Sequence, residues 1–568
     1  MTNNIVTTFY NSSDVKSKVY ESFDKEYSYN EVIKKAKQIA NILQRHEQKN
    51  ILVHVDHSIL SLTTIIAIWQ LNKTFIPVNT NTSLARLKNI RSQLNDYIEV
   101  NFNDIKKDNT INITNKLIEN VEEFSDIFVD EKEIAYILFT SGTTGKPKGV
   151  KITHNNLITL FKNTKDLFDF NSNDVWINLH SLEFDFSMWE LFGALLNHSS
   201  LVLPGDIKLY QFDEISKLIK RYDVNILNQT PTAFYRLQKY LQSSNVENLK
   251  YVIFGGEKLQ VEMIKESFEK YNRTRFINMY GITEITIHAT YHQISEIDFL
   301  SPKISNIGKG IGESKVFLVD ESRNPIENGV GEICISSESV SPGYLNNGKL
   351  SSEVFIDYKG LPTYFSGDIG EYIEGKDINY IGRKDNQIEK NGYRIELDEI
   401  KYNLQKHNNV IQCEMDYYDE QIIAYLVLKE NISDDQTYVF NNWLDHKIPT
   451  YMIPNKYVQI KEMPLTQNGK IDIKMLRSDT NTKDCLANTG DLFIEWFKET
   501  LEDYTKIPKE KIKNDANFFD MGISSLQLID IHNKIIKNFT VNKEFSVVDL
   551  FQFSSVQAIT TNFVMGRK

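Results

Sequence analysis

The stretch Tyr136-Ile-Leu-Phe-Thr-Ser-Gly-Thr-Thr-Gly-Lys-Pro-Lys-Gly-Val150 passes from an apolar strand pattern straight into glycines, hydroxyls and lysines. A loop of that composition behind a buried strand reads as a phosphate cradle. Gly142, Gly145 and Gly149 let the backbone turn tightly and approach a ligand, Thr140, Ser141, Thr143 and Thr144 supply hydroxyl donors, and Lys146 and Lys148 add positive charge. The Walker pattern is excluded, because only two residues separate Gly142 from Gly145 and Pro147 follows the lysine. An ordinary Gly/Ser/Thr turn after a buried strand is the alternative on this stretch alone.

Working outward, strand and helix patterns alternate. Residues 29–43 carry apolar positions at helical spacing, Ile51-Leu-Val-His-Val55 reads as a strand, residues 60–71 as a helix and Phe75-Ile-Pro-Val78 as a strand. Further strands are expected at Val175-Trp-Ile-Asn-Leu179, Val224-Asn-Ile-Leu227, Tyr251-Val-Ile-Phe254 and Phe276-Ile-Asn-Met279. This alternation predicts a layered α/β architecture, in which loops after the strands are natural ligand sites. Around Arg383-Lys-Asp385 the pattern changes to a smaller α+β segment ending near Arg477; residues 478–490 are polar and read as a linker. Residues 491–568 show three or four helical stretches and almost no strand signal, as in a small all-α bundle. The expected domains are therefore 1–384, 385–477 and 491–568.

The 568 residues exceed what one hydrophobic core usually serves, so several domains are expected. A formal charge of -12 argues against a general nucleic-acid or anionic-membrane surface and favours a small-molecule or protein partner. Cys334, Cys413 and Cys485 have no ligand-like spacing, so neither a disulfide framework nor a zinc site is expected. The N-terminus lacks a basic region followed by an apolar core, and residues 59–69 are too few to span a bilayer, so a cytoplasmic location without membrane attachment is expected.

Three more clusters carry chemistry. Asn278-Met-Tyr-Gly-Ile-Thr-Glu284 delivers an amide, a glycine, a hydroxyl and a carboxylate at a strand end. A carboxylate near phosphates suits magnesium, while Thr283 and Glu284 also suit a plain helix start. Tyr364-Phe-Ser-Gly-Asp368 with Gly382-Arg383-Lys-Asp385 offers an aspartate to a ribose diol, or a surface turn. Asn468-Gly-Lys-Ile-Asp472 offers Lys470, which also suits a solvated lysine beside a hairpin turn.

Taken in this order, the clusters resemble the adenylation domains of nonribosomal peptide synthetases, within the acyl-adenylate-forming enzymes. Further matching segments are Phe184-Asp-Phe-Ser-Met-Trp-Glu190, Gly331-Glu-Ile-Cys-Ile335, Gly343-Tyr-Leu345, Arg394-Ile-Glu-Leu-Asp-Glu-Ile400 and Pro449-Thr-Tyr-Met-Ile-Pro454, so the resemblance covers residues from about 20 to 477. It implies a large N-terminal and a small C-terminal subdomain hinged at Asp385, rotating between two half-reactions. The segment Asn517-Phe-Phe-Asp-Met-Gly-Ile-Ser-Ser-Leu-Gln527 resembles a peptidyl carrier at its phosphopantetheine attachment site. The modified residue implied is Ser525, which directly precedes the leucine; N-capping of a helix is the other use of such a serine.

The resemblance implies attack of a substrate carboxylate on the α-phosphorus of ATP, then transfer of the acyl group to the pantetheine thiol. Lys470 would neutralise charge at the reacting groups and Glu284 would hold magnesium. The loop from Thr140 to Lys148 would hold the leaving phosphates. Asn278, Tyr280 and Thr283 would line the nucleotide site, with Asn278 at the adenine edge, Asp368 would meet the ribose and Arg383 would clamp the nucleotide. In the second state Gly392 would replace Lys470 and open a pantetheine tunnel. The chain departs from the family at Glu389, usually basic, and at Phe365, usually arginine.

The family's specificity positions map to Asp185, Phe186, Trp189, Asn228, Ile253, Gly255, Met279, Ile287, His288 and Lys470, a lining similar to threonine-activating domains. Asp185 would pair with the α-ammonium, Asn228 and His288 would serve a hydroxyl, and Phe186, Trp189 and Ile253 would bound a small volume. Ile287 stands where valine is usual. The alternatives are a ligase for serine, valine or an aryl or acyl acid, and a non-catalytic carrier scaffold. The implied partners are L-threonine, a phosphopantetheinyl transferase, and a condensation domain or tailoring enzyme acting in trans on a loading or free-standing didomain.

Overall fold

The computed structural model describes residues 4–567 apart from 13–14, 81, 104–108, 141–146, 210, 303, 385–386, 391–392, 419, 430–435, 446, 465–470, 472, 481–488, 506, 515, 519–520, 522, 524, 542–544, 546–548 and 551–554. It forms two compact units, Met1–Glu399 and Ile400–Lys568.

In the first unit the helix Tyr29–Leu43 starts at a reciprocal cap: the Ser28 hydroxyl accepts from the Glu31 amide, and the Glu31 carboxylate accepts from the Ser28 amide at 2.7 Å. Its apolar stripe packs on the helix Ile59–Gln70, every residue of which is buried. A helix apolar on all sides belongs in a core, which accounts for the hydrophobic run at 59–69. Among the described residues no helix is long and apolar enough to cross a membrane.

Two large sheets organise this unit. The six-stranded sheet runs in the order Thr110–Asn112, Tyr97–Asn101, Asn50–Val55, Thr74–Asn79, Ile134–Thr140, Lys148–Thr153. Its pairs are parallel except the last, where Thr140 faces Lys148 across an antiparallel ladder. The strands flanking residues 141–146 are thus a hairpin pair, whereas a Walker loop joins a strand to a helix.

The second sheet has fourteen strands. Lys18–Glu21, Ser200–Leu203, Val175–Ile177, Ile226–Gln229, Tyr251–Phe254 and Arg275–Asn278 lie side by side and parallel. The sheet then continues antiparallel through Thr290–Gln293, Asn306–Gly310, Ile378–Arg383, Leu361–Tyr372, Val330–Ser336 and Lys315–Val319. The carboxyl ends of the parallel strands bring residues 178–180, 228, 253–255 and 278–279 to one edge, where open α/β sheets bind ligands.

The second unit holds a three-stranded sheet of Val410–Tyr418, Gln421–Leu428 and Lys456–Gln459. Arg477, on the helix Ile473–Thr480, clamps Asp416 through two hydrogen bonds of 2.7 Å. Further on, the helices Thr489–Thr505, Ser525–Asn538 and Val556–Phe563 enclose a core that includes Phe493, Phe497, Leu501, Phe518 and Ile531. To these helices the structure adds a short antiparallel ladder, Phe539–Val541 with Val564–Arg567, which the sequence pattern did not announce. A layered α/β unit, followed by a smaller α+β part and a helical module, is what the chain adopts.

Candidate active site

The helix Asp185–Leu196 points its first turn at the sheet edge. Phe184 precedes it without a side-chain cap, leaving Asp185 at the first helical position. Asp185 is half-buried; Thr283 and the Phe186 amide favour its ionised form, while its Oδ2 is buried and has no partner. Burial pushes its pKa from 3.8 up to about 6, with Thr283 pulling the other way and Glu284 adding repulsion.

Beyond Asp185 the packing is aromatic and tight. Phe186 and Trp189 meet His288 edge-on, with ring centroids 4.9 and 5.2 Å away. A Cβ on Gly255 would sit 2.6 Å from the Phe186 ring, so only glycine fits there. Burial, with His180 adding to it, pushes His288 down to about 3, and neither ring nitrogen of this neutral imidazole has a partner. Asn228 is fully buried too: its Oδ1 accepts from Trp189 Nε1 at 2.9 Å and its Nδ2 has none. Ile253, Met279 and Ile287 are also buried.

His288 is aimed by an unusual backbone. Thr286 and Ile287 both take positive φ, 61° and 75°, a conformation that costs a β-branched residue about 1–3 kcal/mol. The Thr286 hydroxyl donating to the Ser339 carbonyl at 2.6 Å helps hold the turn. Opposite, Gly281 is obligatory, since a Cβ there would lie 1.9 Å from the Ile287 carbonyl oxygen.

The other half of the edge is densely paired. Asp368 accepts from the Tyr280 hydroxyl at 2.6 Å, from Arg383 at 3.2 Å and from the Tyr380 hydroxyl at 3.4 Å. Arg383 also donates to the Ser366 carbonyl at 2.6 Å, so its guanidinium is turned onto Asp368. The Asn278 amide nitrogen donates to the Asn306 carbonyl at 2.7 Å, leaving the oxygen edge to another group. Glu284 is buried and accepts from Tyr344 at 2.8 Å. Among the described residues no three ligating side chains cluster to hold a metal. One buried carboxylate fits a magnesium ion that arrives bound to phosphates rather than one caged by protein.

Thr140 and Lys148 face each other across the hairpin, and Lys148 pairs with Glu396 at 3.1 Å. Ser141, Gly142, Thr143, Thr144, Gly145, Lys146, Asp385, Gly392 and Lys470 lie outside the described residues. Ser525 is the first residue of its helix. Phe365 is buried beneath the Arg323 guanidinium, 4.3 Å from its ring centre, and Glu389 lies opposite Arg394 in a two-stranded ladder.

Sequence reasoning missed a buried polar cluster behind the Phe186 ring. Buried Glu190 accepts from Asn178 at 2.7 Å and from the amides of Leu179 and His180, and faces His180 Nδ1 at 2.9 Å. This fixes the helix Asp185–Leu196 to the end of Val175–Ile177, and the His180 ring lies tilted by 32° against Phe186, centroids 4.5 Å apart. The available signal was a glutamate inside the otherwise apolar run Met188-Trp-Glu-Leu-Phe192.

The profile of the AMP-binding enzymes matches residues 11–345, and that of the phosphopantetheine attachment site matches residues 495–562. The chain is 35% identical over 459 residues to a dimodular nonribosomal peptide synthase of Bacillus subtilis (strain 168), covering 76% of this chain and 19% of that protein. It is 31% identical over 427 residues to syringomycin synthase SyrB1 of Pseudomonas syringae pv. syringae, covering 72% and 69% respectively. The chain is superimposable, at a TM-score of 0.77 and 21% identity, on holo-PA1221, a nonribosomal peptide synthetase protein containing adenylation and carrier domains, over 98% of this chain and 96% of that one. The chain belongs to the AMP-binding enzymes, with a phosphopantetheine attachment domain behind the adenylation fold. It spans about a fifth of the length of the dimodular synthase.

Proposed function

We propose that the chain activates an amino acid, L-threonine, with ATP and loads it as a thioester on its own carrier domain. The observation carrying this reading is the set of three buried groups with unmet hydrogen-bonding capacity: Asp185 Oδ2, Asn228 Nδ2 and the His288 ring. Each buried polar atom without a partner costs about 1–3 kcal/mol, so their grouping in one pocket favours a ligand that supplies the partners. The α-ammonium of an amino acid meets Asp185, and an aryl or acyl acid has nothing to offer that carboxylate. The hydroxyl of threonine serves Asn228 and His288, and its methyl lies against Phe186, Trp189 and Ile253.

On the nucleotide side the Asn278 oxygen accepts from the adenine amino group, because its own NH2 is tied to Asn306. Asp368, oriented by Tyr280 and Arg383, meets the ribose diol. Glu284 would hold magnesium, which would supply positive charge at the ATP phosphates, and the segment Thr140 to Lys148 would hold the leaving pyrophosphate. Lys470 offsets the charge that builds between the substrate carboxylate and the α-phosphate. Rotation at Asp385 then exchanges Lys470 for Gly392 and admits the pantetheine thiol carried on Ser525. The partners in this reading are a phosphopantetheinyl transferase and a condensation domain or tailoring enzyme acting in trans, in the cytoplasm.

The test is ATP–pyrophosphate exchange paired with carrier loading. Exchange is expected to depend on threonine and magnesium, and Ser525→Ala to abolish thioester formation while leaving exchange intact. Exchange without any amino acid dependence contradicts the reading.

A further inference from the structure

Trp189 belongs to the pocket wall by packing, but its one polar atom has a separate consequence for selectivity. An indole N–H donates and never accepts. Nε1 lies 2.9 Å from the end of the Asn228 amide, and both side chains are buried. A side-chain amide has two orientations that differ little in shape, and its hydrogen-bond partners decide between them. Here the NH2 edge against the indole would set donor against donor, so the oxygen faces Trp189. The indole is itself held: Phe161 stacks on it at 5.5 Å with planes 5° apart, Trp176 lies edge-on at 5.9 Å, and His288 stands perpendicular at 5.2 Å. The Asn228 edge left over is Nδ2, which has no partner.

We infer that Trp189 is a positioning residue for side-chain selectivity: it locks Asn228 as a hydrogen-bond donor, so the pocket takes a side chain that accepts at that point. The inference rests on the threonine reading for the identity of the accepting group, a hydroxyl that accepts from Asn228 and donates to the imidazole of His288. It also implies a rejection beyond that reading. A side chain of the same shape that only donates, such as the ammonium of 2,3-diaminobutyrate at pH 7, meets the Asn228 NH2 donor to donor.

Trp189→Phe keeps an aromatic ring in the stack and removes the N–H, freeing the amide to turn. The ratio of kcat/KM for threonine to that for 2,3-diaminobutyrate is expected to fall about tenfold, the worth of one good hydrogen bond. A role in packing alone lowers both substrates equally and leaves the ratio unchanged, which overturns the inference. A second measurement needs no substrate. The chain has five tryptophans, so Trp189→Phe assigns one indole N–H resonance of the 15N-labelled protein. Asn228→Leu is expected to shift that same resonance upfield, and an unmoved resonance means the lock is not made. If the wild-type enzyme prefers valine to threonine, the threonine reading falls by itself, and the indole resonance still decides the lock.

Discussion

Asp368 is a buried carboxylate and Asp185 a half-buried one, and their surroundings are opposite. Asp368 receives Tyr280, Tyr380 and Arg383, whereas Asp185 keeps one oxygen without a partner beside a pocket that also holds the unpartnered Asn228 Nδ2 and His288 ring. Around Asp368 the polar groups hold one another in place, and in the proposed reading a ribose would add to a network already paired. Around Asp185, Asn228 and His288 the unpartnered polar atoms cost stability, and a ligand that supplies their partners would remove that cost. Selectivity belongs to the second kind of site, because a substrate lacking the right group leaves the penalty standing.

The contrast predicts opposite signs for two substitutions. Asp368→Ala removes the acceptor of the buried Tyr280 hydroxyl and is expected to destabilise the protein by about 1–3 kcal/mol, read from urea unfolding. Asp185→Asn keeps an acceptor for Thr283 and removes a buried charge, and is expected to stabilise the substrate-free protein. The native carboxyl, at about 6 against 3.8 unfolded, gives full stability below the unfolded value and loses it as pH rises through the folded one. The gain on substitution is therefore about 3 kcal/mol at pH 8 and about half that at pH 5. A loss of stability at pH 8 would break the comparison.

A smaller effect follows in catalysis. If, as proposed, the α-ammonium pairs with the ionised form of Asp185, kcat/KM for the amino acid is expected to fall about tenfold per pH unit below pH 6. Asp185→Asn flattens that limb. A profile flat down to pH 5 in the wild type would place the titration elsewhere.

The α/β alternation and the strands Ile226–Gln229, Tyr251–Phe254 and Arg275–Asn278 were legible because periodicity is a property of neighbouring residues. The pairing of Asp368 with Tyr280 joins residues 88 apart in sequence, and no spacing rule reaches that far. The reading of Trp189 as apolar packing overlooked its N–H, which matters only because Asn228, 39 residues on, lies opposite it. The left-handed turn at Thr286 and Ile287 was hidden for another reason: β-branched residues argue locally against positive φ, and only the close approach of Gly281 and the Ser339 bond sustain it. The ladder Phe539–Val541 with Val564–Arg567 pairs segments too short to show a period of two.

The most direct test of the account is ATP–pyrophosphate exchange measured as kcat/KM for threonine, serine and valine. Serine lacks only the methyl and should lose about 10- to 200-fold, while valine leaves Asn228 and His288 unpartnered and should lose up to roughly 10⁴-fold. The predicted order is threonine, serine, valine; valine ahead of serine would mean that the unpartnered groups do not face the substrate side chain, and the threonine assignment would be withdrawn.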